Sequence, residues 1–150
     1  MTDYGLLNAQ LAEMVKDVPH RIANLANASA LLYEMLPDLN WAGFYLMENG
    51  QLVLGPFQGR VACVEIEIGK GVCGTAVARN ATVLVEDVHQ FPGHIACDGA
   101  SNSEIVVPIR KDGQVIGVLD LDSPRFGRFT VADQAGLEAF VQILEAAVFS

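Results

Sequence analysis

The sequence has no long hydrophobic run and little positive charge. No apolar segment approaches the roughly 18 residues that a membrane-spanning helix needs. Only 9 residues are Lys or Arg against 18 Asp or Glu, which gives a formal net charge of -9. Nucleic acids and anionic membranes bind clustered basic side chains, so we expect neither as a partner. The N-terminus begins with an acidic residue and has no apolar signal core, which predicts a cytoplasmic protein.

The paired ligand spacing of zinc sites is also missing. The three cysteines Cys63, Cys73 and Cys97 form no C-x-x-C motif, so we expect no metal, although His89 and His94 could join them. An odd number of cysteines in a cytoplasmic chain argues against a structural disulfide framework. The thiols are therefore either buried small hydrophobes or a reactive group with a resolving partner.

The chain has ample material for a packed core, because 51% of its 150 residues are hydrophobic. Apolar spacing predicts three long helices, over residues 3–16, 20–36 and 130–148. Alternating polarity between the second and third predicts hairpin-linked strands with one short helix over 72–78. This order predicts one α+β domain, residues 1–150, with N-terminal helices in 1–37. Residues 40–150 would form a mainly antiparallel central sheet and the closing helix.

Two of the predicted strands carry unusual faces. Trp41, Gly43 and Tyr45 share one face of the first strand, and Asp120 and Asp122 share one face of the last, roughly 7 Å apart. If the two strands are neighbours, carboxylates and rings line one cavity, with Gly43 leaving room between the rings. Such a cavity suits a small cationic or zwitterionic ligand. The alternatives are ordinary core for the rings and a solvated polar face for the aspartates.

The cysteines lie in or beside predicted loops. Cys97 falls in the longest irregular segment, residues 89–102, where a thiol is accessible and its thiolate can attack. Cys73 falls in the first turn of the short helix, and the helix dipole is expected to lower its pKa, which makes it another candidate nucleophile. Cys63 begins a strand, and spacing does not decide which pair can form a disulfide. Glu104 is either a surface charge or, among clustered acids, a group with a raised pKa.

Seven stretches together resemble a known family along nearly the whole chain. They are residues 40–45 (NWAGFY), 54–59 (LGPFQG), 63 (C), 69–74 (GKGVCG), 94–98 (HIACD), 103–109 (SEIVVPI) and 117–123 (GVLDLDS). The family is that of the GAF-domain free methionine-(R)-sulfoxide reductases. The resemblance implies a GAF-like fold and an enzyme that reduces free L-methionine-(R)-sulfoxide to L-methionine. The glycine turn and the last strand alone would indicate only some GAF domain.

The resemblance also implies roles for the three thiols. Cys97 matches the attacking thiolate, which is left as a sulfenic acid when methionine leaves. Cys63 matches the resolving cysteine, whose disulfide with Cys97 thioredoxin would reduce. Cys73 matches an auxiliary thiol that can form an alternative disulfide. No cofactor is implied, and a homodimer is expected.

The resemblance also implies roles for the acidic and aromatic residues. Glu104 and Asp122 match the groups that handle the proton of the sulfoxide oxygen, and Asp120 matches a group that positions the loop and substrate. Trp41 and Tyr45 match an aromatic wall for the methyl end of the substrate. The competing interpretation is a GAF sensor that binds a small molecule without catalysis. A purely structural interaction domain would leave the acids and cysteines unexplained.

Overall fold

The computed structural model describes residues 1–94 and 99–150. Within them the helices are α1 Tyr4–Val15, α2 Arg21–Met35, α3 Gly71–Arg79 and α4 Val131–Ala147. The strands are β1 Trp41–Glu48, β2 Gln51–Gly59, β3 Glu65–Ile66, β4 Val83–Val85, β5 Ser103–Lys111 and β6 Gln114–Ser123. A short 3-10 helix covers Val88–Gln90. The four predicted helices are therefore confirmed.

The strands form one sheet in the order β3-β2-β1-β6-β5-β4, and all neighbours are antiparallel. Tight hairpins join β1 to β2 and β5 to β6. Their central residues have positive φ, at 51° and 81° for Asn49 and Gly50 and at 53° and 79° for Asp112 and Gly113. Positive φ at both central positions gives a turn whose twist matches that of the strands, so local sequence sets both registers.

The two faces of the sheet pack against different helices. Ala42, Phe44, Leu119 and Leu121 point to the face covered by α1, α2 and α4, where they form the larger core cluster. Each fully buried leucine or phenylalanine contributes about 1.5–3 kcal/mol. The alternate residues of the same strands point to the opposite face, which is covered by α3. This second face is smaller, and it carries the polar residues discussed below.

Specific polar contacts set where α4 begins and how it meets α1. Thr130 is the N-cap residue and forms a reciprocal capping box with Asp133, which satisfies two otherwise unpaired backbone N–H groups. The Tyr4 hydroxyl donates a 2.7 Å hydrogen bond to Asp133 Oδ1, so α1 is tied to the start of α4. Among residues 1–94 and 99–150, no helix is both long and apolar enough to span a bilayer.

The segment from residue 63 to 68 forms a shorter strand than its alternation predicts. Only Glu65 and Ile66 pair with β2, and one further bond joins Leu54 N to Val64 O at 2.8 Å. Val64 is 63% exposed. Strand β3 lies at the edge of the sheet, so no strand on its other side extends the pairing. The alternating polarity of residues 63–68 therefore does not produce a strand of that length.

Candidate active site

Three carboxylates meet in the centre of the sheet. Asp120 and Asp122 lie on the same face of β6, and Glu104 on β5 is paired directly with Asp122. All three side chains are buried, with exposed fractions of 7% for Glu104, 5% for Asp120 and 9% for Asp122. The prediction that the two aspartates share a special face is confirmed. The alternatives of a solvated edge strand and of a surface charge at Glu104 are wrong, because β5 and β6 are interior strands.

An aromatic wall faces these acids from β1. Trp41 pairs with Asp122, and Tyr45 pairs with Val118, so the predicted adjacency of the two strands is confirmed. The rings of Trp41 and Tyr45 are stacked, with centroids 5.9 Å apart. Phe57 of β2 also stacks with Trp41, with ring centroids 5.1 Å apart. No pattern within β1 indicates this third ring, because Phe57 lies on a separate strand.

Each polar end of the wall has a hydrogen-bond acceptor. The Trp41 indole N–H donates to the Arg60 carbonyl at 3.1 Å, and the Tyr45 hydroxyl donates to the Cys63 carbonyl at 2.9 Å. Both rings are therefore fixed in orientation as well as buried. The second bond also ties the backbone at Cys63 to the wall.

Gly43 creates the space that the wall occupies. A Cβ at this position would lie 2.8 Å from Phe57 Cα and 2.9 Å from the Trp41 ring, closer than real Cβ contacts. Glycine is therefore required at position 43, because a larger residue would collide with β2 and with the Trp41 ring. The sequence predicted that Gly43 leaves room for the rings. The register between β1 and β2 also shifts between Gly43 and Tyr45.

Helix α3 brings Cys73 against the acids. The preceding glycine turn has Gly69 at φ 87° and Gly71 at φ 62°, conformations that favour glycine. Cys73 is a free, buried thiol in the first turn of α3. Burial, followed by the charges of Asp120 and Glu104, raises its pKa well above the usual range. The expectation that the helix dipole lowers this pKa is therefore wrong, since desolvation and neighbouring negative charge outweigh the dipole.

The acids hold protons more tightly than exposed carboxyls do. Burial is the main cause that raises the pKa of Glu104, and the charges of Asp120 and Asp122 raise it further. Burial also raises the pKa of Asp120, although hydrogen bonds from Glu104 and Cys73 oppose the rise. Burial and the same group of acids raise the pKa of the Tyr45 hydroxyl. The site therefore combines acids whose raised pKa values favour the protonated form with carboxylate oxygens that can accept hydrogen bonds from a cationic group.

These residues line a cavity of about 50 Å³ between α3 and the sheet. Its walls include Trp41, Tyr45, Cys73, Glu104, Asp120 and Asp122. One water needs roughly 10–15 Å³ of such space, so the cavity suits a small molecule rather than a peptide segment. Lys70, His94 and Ser101 also contribute to the lining; of these, only His94 was considered from the sequence, as a possible metal ligand. They lie in turns and loops, where the periodicity of the sequence does not predict the direction in which a side chain points.

His94 enters this cavity from the long loop. Burial, and then the neighbouring His89, lower its pKa, so the ring is neutral near pH 7. The two imidazole rings lie 6.5 Å apart, edge to face. The proposed nucleophile Cys97 lies three residues further on, outside the described residues. The structure therefore assembles seven of the eight predicted site residues around one region, with Cys63 joined to it through Tyr45.

One group in the site has the composition of a metal site. The Cys73 Sγ, one Glu104 oxygen and one Asp120 oxygen all lie within 4.8 Å of one another. The described residues do not bring His89 and His94 together with this group as a ligand set. The sequence could not reveal the cluster, because its members come from three elements distant along the chain.

Known proteins match the chain over nearly its full length. A family model described as GAF domain matches residues 25–148. The chain is 59% identical over 142 residues to the free methionine-R-sulfoxide reductase of Escherichia coli (strain K12), covering 95% of this chain and 86% of that protein.

Two solved structures extend the similarity to the fold. The structure of fRMsr of Staphylococcus aureus in complex with substrate has a TM-score of 0.94 and 56% identity, covering 99% of this chain and 97% of that one. The free methionine-R-sulfoxide reductase from Neisseria meningitidis, in complex with its substrate, has a TM-score of 0.94 and 44% identity, covering 97% of this chain and 88% of that one.

Proposed function

Because the chain belongs to the family of GAF-domain free methionine-(R)-sulfoxide reductases, we propose that it reduces free L-methionine-(R)-sulfoxide through a cysteine sulfenic acid and an intramolecular disulfide. The observation that carries this proposal is the buried row of Glu104, Asp120 and Asp122 facing the Trp41–Tyr45 wall across one small cavity. The α+β GAF fold expected from the sequence is confirmed, and we take residues 1–150 as a single domain.

The first step is attack by the Cys97 thiolate on the sulfoxide sulfur. Sulfoxide oxygen leaves poorly until it is protonated, so Glu104 and Asp122 supply and hold the proton. The sulfoxide is reduced by two electrons to methionine, and Cys97 is oxidised by two electrons to a sulfenic acid that retains the oxygen. The raised pKa of Glu104 supports this role, because burial makes this carboxyl hold its proton to higher pH than an exposed carboxyl does.

Recycling then uses Cys63. Its thiol attacks the sulfenic acid sulfur, the oxygen leaves as water, and a Cys63–Cys97 disulfide forms. Thioredoxin returns both thiols by dithiol exchange and is itself oxidised to a disulfide. Cys73 serves as an auxiliary thiol, and its raised pKa supports a secondary role because little thiolate forms at neutral pH.

Recognition of a free amino acid follows from the cavity. The aromatic wall takes the methyl end of the substrate, and the acids, Asp120 in particular, accept hydrogen bonds from its ammonium group. Among residues 1–94 and 99–150, Asp120 Oδ1 is buried without a hydrogen-bond partner, which supports a polar ligand at this point. The small cavity disfavours a residue within a peptide.

We further propose a cytoplasmic homodimer built on the N-terminal helices. A groove of about 590 Å³ lies between α1 and α2, lined in part by Ala9, Met14, Leu31 and Met35. Leu6 on α1 is half exposed. A second copy would cover this apolar surface, and light scattering at several concentrations tests it. A monomer at every concentration would contradict the dimer.

The function is tested by turnover of the isolated epimers. We expect the protein and a thioredoxin system to release methionine from free L-methionine-(R)-sulfoxide, with near-complete loss in Cys97→Ser. Cys63→Ser should lose thioredoxin-linked recycling while keeping a single turnover. Binding without turnover would favour the GAF sensor and contradict the enzyme.

Mass spectrometry after substrate addition tests the disulfide directly. A loss of two hydrogens in the peptides that contain Cys63 and Cys97 is expected. Cys73→Ser is the matched control, in which this loss should persist. Unchanged activity in Cys97→Ser would overturn the assignment of the nucleophile.

A further inference from the structure

The group formed by Cys73, Glu104 and Asp120 has properties that reduction of a sulfoxide does not need. One sulfur and two carboxylate oxygens, from α3, β5 and β6, lie within 4.8 Å of one another. All three residues are buried and line the cavity, so a small ion can reach them without unfolding the sheet. A thiolate with carboxylates is a donor set that zinc-class ions bind, whereas Mg²⁺ and Ca²⁺ bind sets made of oxygen alone.

Among the described residues, no basic side chain forms a salt bridge with the group, although Lys70 lines the same cavity. The two salt bridges found in residues 1–94 and 99–150 are Arg125–Asp38 and Arg128–Asp133, and neither includes a residue of the cavity. Asp120 is 5% exposed, and within the same ranges its Oδ1 has no hydrogen-bond partner. A buried carboxylate oxygen without a partner is costly, and a bound cation would satisfy it. The hydrogen bonds that Glu104 and Cys73 make to Asp120 leave this oxygen unpaired, so it indicates a ligand beyond the members of the cluster.

The distances suit coordination after a small adjustment. Zn–S and Zn–O bonds of about 2.3 and 2.1 Å in a tetrahedral site place sulfur and oxygen about 3.6 Å apart. The observed separations are at most 4.8 Å, so the ligand atoms need to approach one another by about 1 Å, a shift of the size that side-chain rotation supplies. Three protein ligands leave one position for water.

We propose that Cys73, Glu104 and Asp120 form a site for a divalent ion of the zinc class, which occupies the place of the substrate ammonium group. The ion is an inhibitor rather than a resident cofactor, since it uses the acids that catalysis requires. Metal and substrate therefore exclude each other. This exclusion rests on the proposed function, whereas the site itself does not.

The metal site is tested in the Cys63→Ser/Cys97→Ser variant, free of affinity tags. Of the three cysteines in the sequence it retains only Cys73, so any thiolate-to-metal absorption must come from that residue. We titrate Co²⁺ as a spectroscopic probe and then displace it with Zn²⁺. One Co²⁺ per chain should bind with a thiolate charge-transfer band, and Zn²⁺ should abolish the band.

Further substitutions in that background locate the ligands. The band should vanish with Cys73→Ser, and Glu104→Gln or Asp120→Asn should weaken Co²⁺ binding at least tenfold. Glu48→Gln, which removes an exposed carboxylate at the end of β1, is the matched control and should leave binding unchanged. Circular dichroism and the unfolding midpoint establish that each variant is folded. Absence of the band, or its persistence in folded Cys73→Ser, overturns the site.

Competition tests the exclusion separately. Free methionine-(R)-sulfoxide should raise the apparent Kd for Co²⁺ in proportion to its concentration. If the protein binds the sulfoxide but the apparent Kd for Co²⁺ does not change, metal and substrate do not exclude each other and this part of the proposal is overturned. Because this variant lacks Cys97 and cannot turn over, the metal result is independent of the reductase assay, which uses the wild-type chain.

Discussion

Replacing Gly43 by alanine tests whether the gap in β1 sets the position of the aromatic wall. The added methyl carbon would lie 2.8 Å from Phe57 Cα and 2.9 Å from the Trp41 ring. Ordinary van der Waals contact begins at 3.4 Å, and the new methyl group would also overlap Phe57 Cβ, which is nearer than Cα, so the backbone at Phe57 has to move by at least about 0.6 Å. Since Gly43 and Phe57 are paired across β1 and β2, the two strands must separate locally.

We expect Gly43→Ala to lower both the thermal stability and the catalytic efficiency. Overpacking of this kind costs about 1–3 kcal/mol. Each kcal/mol lowers the Tm of a domain of this size by about 2–4 °C, which gives a fall of about 2–12 °C. A displacement of a positioning group by ~1 Å can cost ~100-fold in rate, so kcat/KM should fall about tenfold to 100-fold as Trp41 shifts.

The measurements are thermal unfolding and methionine release at low substrate concentration. Gly5→Ala is the matched control, because Gly5 is exposed in α1 and its new Cβ would be 3.4 Å from Asp3 Oδ1. That substitution should stabilise the helix by about 0.5–1 kcal/mol and leave kcat/KM unchanged. A Gly43→Ala protein with wild-type Tm and kcat/KM would refute the reasoning.

Three further predictions concern single contacts. Asp122→Asn removes a negative charge that raises the pKa of Glu104, so the alkaline limb of the kcat/KM profile should move to lower pH; a limb that stays in place would contradict the role of protonated Glu104. Tyr45→Phe removes the hydrogen bond to the Cys63 carbonyl, and calorimetry should show a loss of about 1–3 kcal/mol, which an unchanged midpoint would exclude. Thr130→Ala removes the capping box, and urea unfolding should show a loss of about 0.5–2 kcal/mol with kcat/KM unaffected; loss of activity instead would link α4 to the site.

The sequence predicted the parts of the site that lie on regular strands. Alternation placed Trp41 and Tyr45 on one face of β1 and Asp120 and Asp122 on one face of β6, and both are found there. The Asn49–Gly50 turn was equally predictable, since few residues tolerate positive φ. In each case the geometry is set by residues close in the sequence.

Other features depend on contacts between distant segments. Burial of Glu104 follows from the position of β5 between β6 and β4, which no local pattern encodes. The pKa of Cys73 moves opposite to the dipole expectation because of burial between α3 and the sheet and, after that, because of the charges of Asp120 and Glu104. Phe57 and Lys70 were missed for the same reason.

The pairing of β1 with β6 has a consequence for how the molecule is made. Strand β1 can fold back on β2 as soon as both leave the ribosome, but its other edge waits for β6, which is translated last among the strands. During that interval the edge is open to other chains, and the carboxylates do not yet face the rings. Completion of the cavity is thus a late event in biosynthesis, and the growing chain carries Cys73 before the burial and the acids that raise the pKa of this thiol are in place.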